Sequence, residues 1–472
     1  MTLRRLLGCF CGLLILTVTI PLLPAPAAGE NALQPPPYRL NRADENYLYL
    51  RDPARRSDFW DPIKYLPLNQ SGSWHFSVGG EARERFEYFH NPDWGDNPQG
   101  RGYLLQRYFL HVDLQMGEHA RLFTQLQSSL QDGRRGGARA TDEDKLDLHQ
   151  AFLDLKLSLS PDSSLVLRSG RQELAYGSQR IVSVREGPNV RQSFDGFRVM
   201  YRAAELQLDA LAVRPVQTKR HFFDDGTDSG KALWGSYAVL PFPPLSHAKL
   251  DLYYLGLFRE GARFDQGAAR ETRHSVGARL WRAQEPLDYN FEALYQWGSF
   301  GSGDIRAWTV ASDTGYTLAS LPLRPRVSLK ADIASGDQDP GDPDLQTFNP
   351  LFPKGAYFSE AGLIGPANFF DLNPCLELHP AERLTVTVDW DFFWRESTRD
   401  GLYNNSVALV RSGKTGDARY IGSMPQAQLS WEIDRHLTFV GIYGHFFAGE
   451  FLRETGPAKD IDYFTSWFTY KF

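Results

Sequence analysis

Arginine is the residue type with the most chemistry to offer in this sequence. Of the 51 Lys and Arg residues, 11 are Lys and the other 40 are Arg. A guanidinium is planar, stays charged at every relevant pH and forks onto carboxylates, so the bias suits an anionic partner. The codon usage of a GC-rich genome produces the same bias. Many arginines recur at alternate positions among acids: Glu81, Arg83, Arg85 and Glu87, then Arg107 and Asp113, then Arg198 and Arg202. Arg171, Arg180, Arg185 and Arg191 stand at a segment root and in the aperiodic stretch after it. Such an array attracts a polyanion without trapping it when it lines a water-filled passage. Facing Arg and Glu on neighbouring strands also brace a wall, and for any one residue both readings stand.

A second cluster is acidic. Asp337, Asp339 and Asp342 lie between Gly336 and Asp344, with a further glycine at Gly341. Oxygens grouped around glycine turns suit Ca²⁺, but the spacing does not fit an EF-hand and lacks its closing Glu. A solvated acidic loop explains the same residues. Neither a His-Glu-x-x-His zinc motif nor a Gly-x-Ser-x-Gly elbow occurs. Gly413-Lys414-Thr415 lacks the first glycine of a phosphate loop, Ala408 standing in its place. The expectation is a protein that is not an enzyme and holds no cofactor. A formal net charge of −6 disfavours nucleic acid as a partner.

The arginines must be carried on strands. The chain has 472 residues, 13% aromatic, with 41 Gly. After the N-terminal 27 residues no run is apolar enough for a membrane helix. Alternation dominates instead. Trp74, Phe76, Val78, Ala82, Phe86 and Tyr88 share one face, and His75, Ser77, Glu81, Arg83, Arg85 and Glu87 the other. Period two means a β-strand with one apolar face. The split recurs along the chain and gives about 18 strands, from 73–90 to 461–472, including 248–258 and 272–283.

Periodicity does not separate a soluble sandwich from a membrane barrel, but connection lengths do. Gly117–His119, Ser160–Asp162, Ala203–Ala204, His379–Glu382 and Asp434–Arg435 are tight. Asn91–Gly102, Asp132–Lys145, Ala175–Gln192, Arg214–Gly230 and Ser335–Pro366 are long. Short turns alternating with long loops are the layout of an outer-membrane up-and-down antiparallel β-barrel. An even strand count puts both ends of the barrel on the short-turn, periplasmic side.

The ends of the chain agree with export. Residues 1–27 have a basic start at Arg4 and Arg5, an apolar Leu6–Leu23 and a small-residue site at Ala25-Pro26-Ala27, the pattern of a signal peptide. Leu6-Leu7-Gly8-Cys9 has the composition of a lipoprotein box but precedes the apolar core instead of following it. Removal of this segment leaves Cys375 as the one cysteine, so no internal disulfide is expected. Residues 28–72, with Pro35-Pro36-Pro37, Arg55-Arg56, Phe59 and Trp60, form an extension before the barrel of residues 73–472. It reads as a periplasmic cap or partner contact, or as a flexible leader. At the other end Phe464, Phe468, Tyr470 and Phe472 fall on one face. A last strand ending in a bare aromatic resembles the signal read by the barrel assembly machinery.

Two groups of residues carry a family resemblance. Gly170-Arg171-Gln172-Glu173-Leu174 with Tyr176-Gly177 and Phe194-Asp195-Gly196 is one. Gly336-Asp337 with Thr347-Phe348-Asn349 and Leu351-Phe352-Pro353 is the other. Together they resemble the alginate export family of outer-membrane porins, from about residue 70 to the end. The resemblance implies an 18-stranded barrel whose arginine-lined lumen passes an anionic polysaccharide. Its partners would be that polymer, the outer-membrane bilayer, the assembly machinery through Phe472, and periplasmic polymer-synthesis proteins. The substrate contacts expected are Arg83, Arg85, Arg107, Arg171, Arg180, Arg185, Arg191 and Arg198. A general or small-anion diffusion porin is the alternative, and a barrel enzyme a third reading for which no Ser/His or Asp/His set can be assembled.

Overall fold

The computed structural model describes residues 35–96 and 102–472. The expected signal peptide, residues 1–27, lies outside the described residues. Eighteen long strands make the wall. They are β1 (Trp74–His90), β2 (Tyr103–Met116), β3 (Ala120–Asp132), β4 (Asp144–Ser160), β5 (Ser163–Gln172), β6 (Phe194–Ala203), β7 (Leu206–Gln217), β8 (Lys231–Pro241) and β9 (Lys249–Phe264). They continue as β10 (Gly267–Arg282), β11 (Leu287–Phe300), β12 (Gly303–Thr317), β13 (Arg326–Ala334), β14 (Phe369–Ala381), β15 (Leu384–Trp394), β16 (Tyr420–Glu432), β17 (Leu437–Ala448) and β18 (Ile461–Lys471).

Each strand pairs antiparallel with the next, and the first pairs with the last from Glu81↔Lys471 to His90↔Asp462. The sheet is therefore a closed 18-stranded up-and-down barrel. Closure pairs the edges that an open sheet would expose.

The two faces of the wall are inverted relative to a soluble protein. Leu110, Val276, Val310 and Phe468 are 48–50% exposed, whereas Arg85, Arg107, Arg273 and Gln296 are 0–1% exposed. Apolar side chains point outward to lipid and polar ones inward, as a membrane barrel requires. Trp74, Tyr316, Trp431 and Tyr470 lie on the outer face near the short-turn ends, and Tyr88, Trp297, Trp308 and Phe447 towards the long-loop ends. They occupy the two depths at which aromatic rings meet lipid headgroups.

One hairpin runs further than alternation suggests. The sequence reading stops at residue 258 and resumes at 272, yet β9 and β10 continue to a two-residue turn at Asp265-Gln266. Glu260, Gly261, Arg263 and Arg270 are exposed on this extension. The outer face there is polar, so the apolar signal is lost although the backbone ladder persists. The layout of short turns against long loops thus has exceptions on its long-loop side, this turn and the one at Gly301-Ser302.

At the short-turn end β18 ends at Lys471, leaving the lower edge of β1 without a partner there. The preceding segment covers it. Leu66 and Pro67 pair with Phe76 and His75. Helix α1 (Asp61–Lys64) sits beside them, and Ser77 Oγ donates to the Lys64 carbonyl at 2.6 Å. Phe472 extends the β18–β1 ladder one pair beyond Lys471, with its ring 6.5 Å from that of Tyr470. Its ring stacks on Trp60 at 4.4 Å, and its backbone exchanges two 3.0 Å hydrogen bonds with Gly80.

Candidate functional site

The inner wall is laced with ion pairs. Arg107 binds Glu81 at 2.7 Å, Arg85 binds Glu87 at 2.7 Å, Arg121 binds Asp113 at 2.7 Å and Arg279 binds Asp251 at 2.7 Å. These charges sit on adjacent strands or two residues apart on one strand, where alternation turns them to the same face.

Two long loops fold inward from the long-loop end. The first, residues 173–193, crosses the lumen. Arg180 reaches Glu292 of β11 at 3.3 Å and Asp332 of β13 at 3.6 Å. The chain then returns to β1 and β2. Arg83 donates to the carbonyls of Glu186 (3.1 Å) and Pro188 (3.2 Å), and Arg85 to that of Gly187 (2.9 Å). The second, residues 335–368, lies beside it. Phe352 N donates to Ile181 O at 2.9 Å and Lys354 N to Gln179 O at 3.0 Å. Val182, Phe194, Phe348 and Phe352, all buried, give the crossing an apolar spine.

Glu186 is the centre of the charge network. Its carboxylate takes Arg107, Arg191 (3.2 Å) and Arg83 (3.5 Å). Burial raises its pKa, but the three guanidinium groups outweigh this and hold it well below the usual carboxylate range. Arg191 also binds Glu173 at 2.9 Å, and Arg85 binds Glu360 of the second loop at 2.9 Å.

All eight arginines singled out from the sequence are now placed. Arg83, Arg85, Arg107 and Arg191 converge on the Glu186 loop. Arg180 lies across the lumen from them. Arg171 pairs with Asp195 at 2.8 Å and Arg198 with Asp209 at 2.8 Å on the wall. Arg185 alone among the eight makes no ion pair with the described residues. Its guanidinium lies over the Phe352 ring at 5.9 Å, and burial pushes it down to about 10, so it stays cationic at neutral pH. It lines a cavity of about 220 Å³ with Arg85, Glu360, Asn189 and Asn405.

Several members were not legible in advance. Lys354 sits on the second loop with its ammonium 5.6 Å from the Tyr357 ring. Burial, with Lys330 and Arg180 nearby, pushes it down to about 7. Glu173, Glu186 and Glu360 neutralise arginines from loops whose inward fold the sequence does not announce. The adjacency Arg185-Glu186 was the available signal.

Asp337, Asp339 and Asp342 do not converge. Asp339 and Asp342 cap turns by accepting from Gly341 N (3.2 Å) and Asp344 N (2.8 Å), while Asp337 N donates to Asp400 at 2.9 Å. Among the described residues these three are not a group whose oxygens approach at metal-ligand separations.

From the opposite end, residues 38–50 enter the lumen. Ala43 packs against the inward rings of Phe123 and Phe152, which stack on each other at 5.3 Å. Arg121 donates to Ala43 O at 2.6 Å, and Arg191 to Leu40 O at 3.0 Å. Arg42 donates to the carbonyls of Gly80 and Phe472 at 2.8 Å each. The segment lies against the β1–β7 side. On the opposite side a cavity of about 380 Å³ stays open, lined by Arg279, Arg282, Asp288, Asp313, Arg326 and Glu377.

Lys64 makes this docking pH-dependent. Its ammonium is buried without a hydrogen-bond partner, over Tyr47 at 5.0 Å and Phe472 at 5.5 Å. Burial, and then the charge of Arg42, pushes it down to about 7. Arg42, Glu45, Asp58, His111 and Arg435 are the other charged or titratable groups around it. Free of the barrel, the amine titrates near about 10.4. The docked state therefore holds fewer protons between the two values, and docking strengthens as pH rises from about 7 towards 10. Below about 7 both states are protonated and this dependence vanishes. Open probability measured across pH 7–9 should fall with rising pH, and Lys64→Met should flatten that curve.

A closed 18-stranded barrel with an apolar outer belt and a charged, loop-narrowed lumen is an outer-membrane porin. The family model described as Alginate export matches residues 75–465. The chain belongs to the alginate export family. Nothing among curated proteins matches it. Solved structures share the fold. OccK8 (OprE) of Pseudomonas aeruginosa is 14% identical, with 84% of this chain and 98% of that chain covered and a TM-score of 0.54. OccAB1 of Acinetobacter baumannii is 11% identical, with 84% and 96% covered and a TM-score of 0.56. OccK2 (OpdF) of P. aeruginosa, solved in complex with glucuronate, is 12% identical, with 86% and 98% covered and a TM-score of 0.55.

The two residue groups that carried the resemblance have structural work. Gly170 faces Gly196 and Arg171 faces Asp195 across β5 and β6. Gly196 has φ +150°, and a Cβ there would meet Ala212 O at 2.3 Å. Asp337 N and Thr347 Oγ1 both donate to Asp400, at 2.9 and 2.6 Å, which fixes the root of the second loop.

Proposed function

We propose that this porin passes an anionic polysaccharide of the alginate type outward, with residues 35–60 and the two inward loops holding it narrow at rest. The observation that carries the reading is Arg185. It is a cation on the loop that crosses the lumen, and no carboxylate among the described residues neutralises it. The paired arginines around it hold the loop; Arg185 is left to meet a uronate carboxylate. Family membership supports an anionic polymer as the cargo. Transport is passive, with direction supplied by periplasmic synthesis, and no chemical step is assigned to the barrel.

The test is block of single-channel current by polymannuronate. Arg185→Ala should weaken block by roughly ten- to a hundredfold, the range expected for loss of one charge-assisted contact of about 1.5–3 kcal/mol. Arg185→Lys should recover part of it. Unchanged block in Arg185→Ala removes this residue from the path.

A second reading is passage of small uronates. Two observations favour it: the cavities hold about 220 and 380 Å³, room for a monosaccharide, and the similar OccK2 structure is a glucuronate complex. Under it, glucuronate carries current and the polymer leaves the channel unaffected.

A further inference from the structure

A group of acids at the long-loop end takes no part in the lumen network. Asp144 and Asp147 project from the start of β4, where a bulge opposite Gln125–Ser129 turns both inward. Residues 218–230 fold over them. Phe223 N donates to Leu146 O at 2.9 Å, and Asp147 Oδ2 accepts from Asp224 N (3.0 Å) and Asp225 N (3.3 Å). This brings the Asp225 side chain onto the pair. One carboxylate oxygen from each of Asp144, Asp147 and Asp225 lies within 4.8 Å of the others.

We propose that Asp144, Asp147 and Asp225 bind Ca²⁺ and that the ion pins loop 218–230 to the barrel wall. Two observations besides the clustering point to a ligand. Asp144 is 1% exposed; its Oδ2 accepts from Gln127 at 3.0 Å, but its Oδ1 has no hydrogen-bond donor. Asp224 Oδ1, beside the group, is also enclosed without a donor. Buried carboxylates left in this way are costly unless a cation or a proton joins them. Cations of the chain are committed elsewhere. Arg171, the guanidinium that bears on Asp225, is bound to Asp195 and to Leu148 O at 3.0 Å. Among the described residues no Lys or Arg forms an ion pair with Asp144, Asp147, Asp224 or Asp225. The donor set suits calcium, a hard cation that takes carboxylate and carbonyl oxygens in flexible geometry, whereas magnesium demands a near-ideal octahedron and keeps several of its waters.

The test uses the full mature chain, refolded free of lipopolysaccharide and stripped with EGTA. Calorimetric titration with Ca²⁺ should show one site that Asp147→Asn and Asp225→Asn each abolish, with Asp339→Asn as the control that keeps it. Loop pinning has its own readout. Lys219 and Arg220 are exposed, so trypsin can cut the loop there. At ten times the Kd, Ca²⁺ should slow that cut by roughly elevenfold. Asp225→Asn lies outside the wall, so loss of protection with intact heat-modifiable migration separates loss of the site from loss of the fold. No Ca²⁺ binding, binding untouched by both substitutions, or equal protection by Mg²⁺ would overturn the assignment. The first of these would mean that protons, not a metal, join the acids.

Discussion

Removing residues 35–60 raises single-channel conductance by roughly threefold or more, because one flank of the lumen is returned to water. Residues 38–50 stand against β1–β7 through Arg42, Ala43 and the acceptor carbonyls of Leu40 and Ala43. None of these contacts closes the wall. The truncation ends before α1 and keeps the Leu66–Pro67 strand on the free edge of β1, so the seam stays covered. The variant should migrate as a heat-modifiable barrel and show larger, less interrupted currents in a planar bilayer. Unchanged conductance with an intact barrel would mean that the segment lies outside the conducting path. Ala43→Trp offers an independent check, since Phe123 and Phe152 leave it no room and should eject the segment in the full-length chain.

Glu186→Gln makes the channel more anion-selective. Glu186 is the shared acid of Arg83, Arg107 and Arg191. Arg107 and Arg191 retain Glu81 and Glu173, but Arg83 keeps only backbone acceptors. A net positive charge therefore appears where the loop crosses the lumen. A unit charge at about 4 Å and an effective dielectric of about 20 is worth roughly 4 kcal/mol before salt screens it. Even a small part of this shifts the anion-to-cation permeability ratio by roughly two- to fivefold, readable as a reversal potential under a KCl gradient. Loss of the acid also loosens the loop, so Glu186→Asp separates the effects. It keeps the charge and shortens the reach, and should leave selectivity near that of the native chain while increasing current noise.

How much of this was legible in the sequence follows from which interactions are local. Alternation is local, so Leu110 beside His111, or Phe86 beside Arg85, already marks an outside and an inside. It fails where the outer face is polar and a bulge breaks the alternation, as at Arg259–Arg270 above the lipid belt. The charges of the wall were legible as inward-facing because strand parity fixes them. Their partners in the loops were not. That Glu186 returns to β1 and β2, or that Asp225 lies on Asp144, depends on loop paths set by contacts more than 70 residues apart in the chain. Arg185 and Arg191 were both named from the sequence, but that one is bare and the other doubly paired is decided only by folding. The extension shows the same limit. Its aromatics and arginines were visible, while the seat of Ala43 on Phe123 and Phe152 is a contact about 80 and 109 residues away in the chain that alternation does not announce.

The measurement that tests the central claim most directly is ion selectivity of the refolded chain in a planar bilayer, followed by titration with polymannuronate. The account predicts anion selectivity, concentration-dependent block by the polymer, and weaker block in Arg185→Ala. Cation selectivity, or a current indifferent to the polymer in both native chain and variant, would contradict it and leave a porin for some other solute.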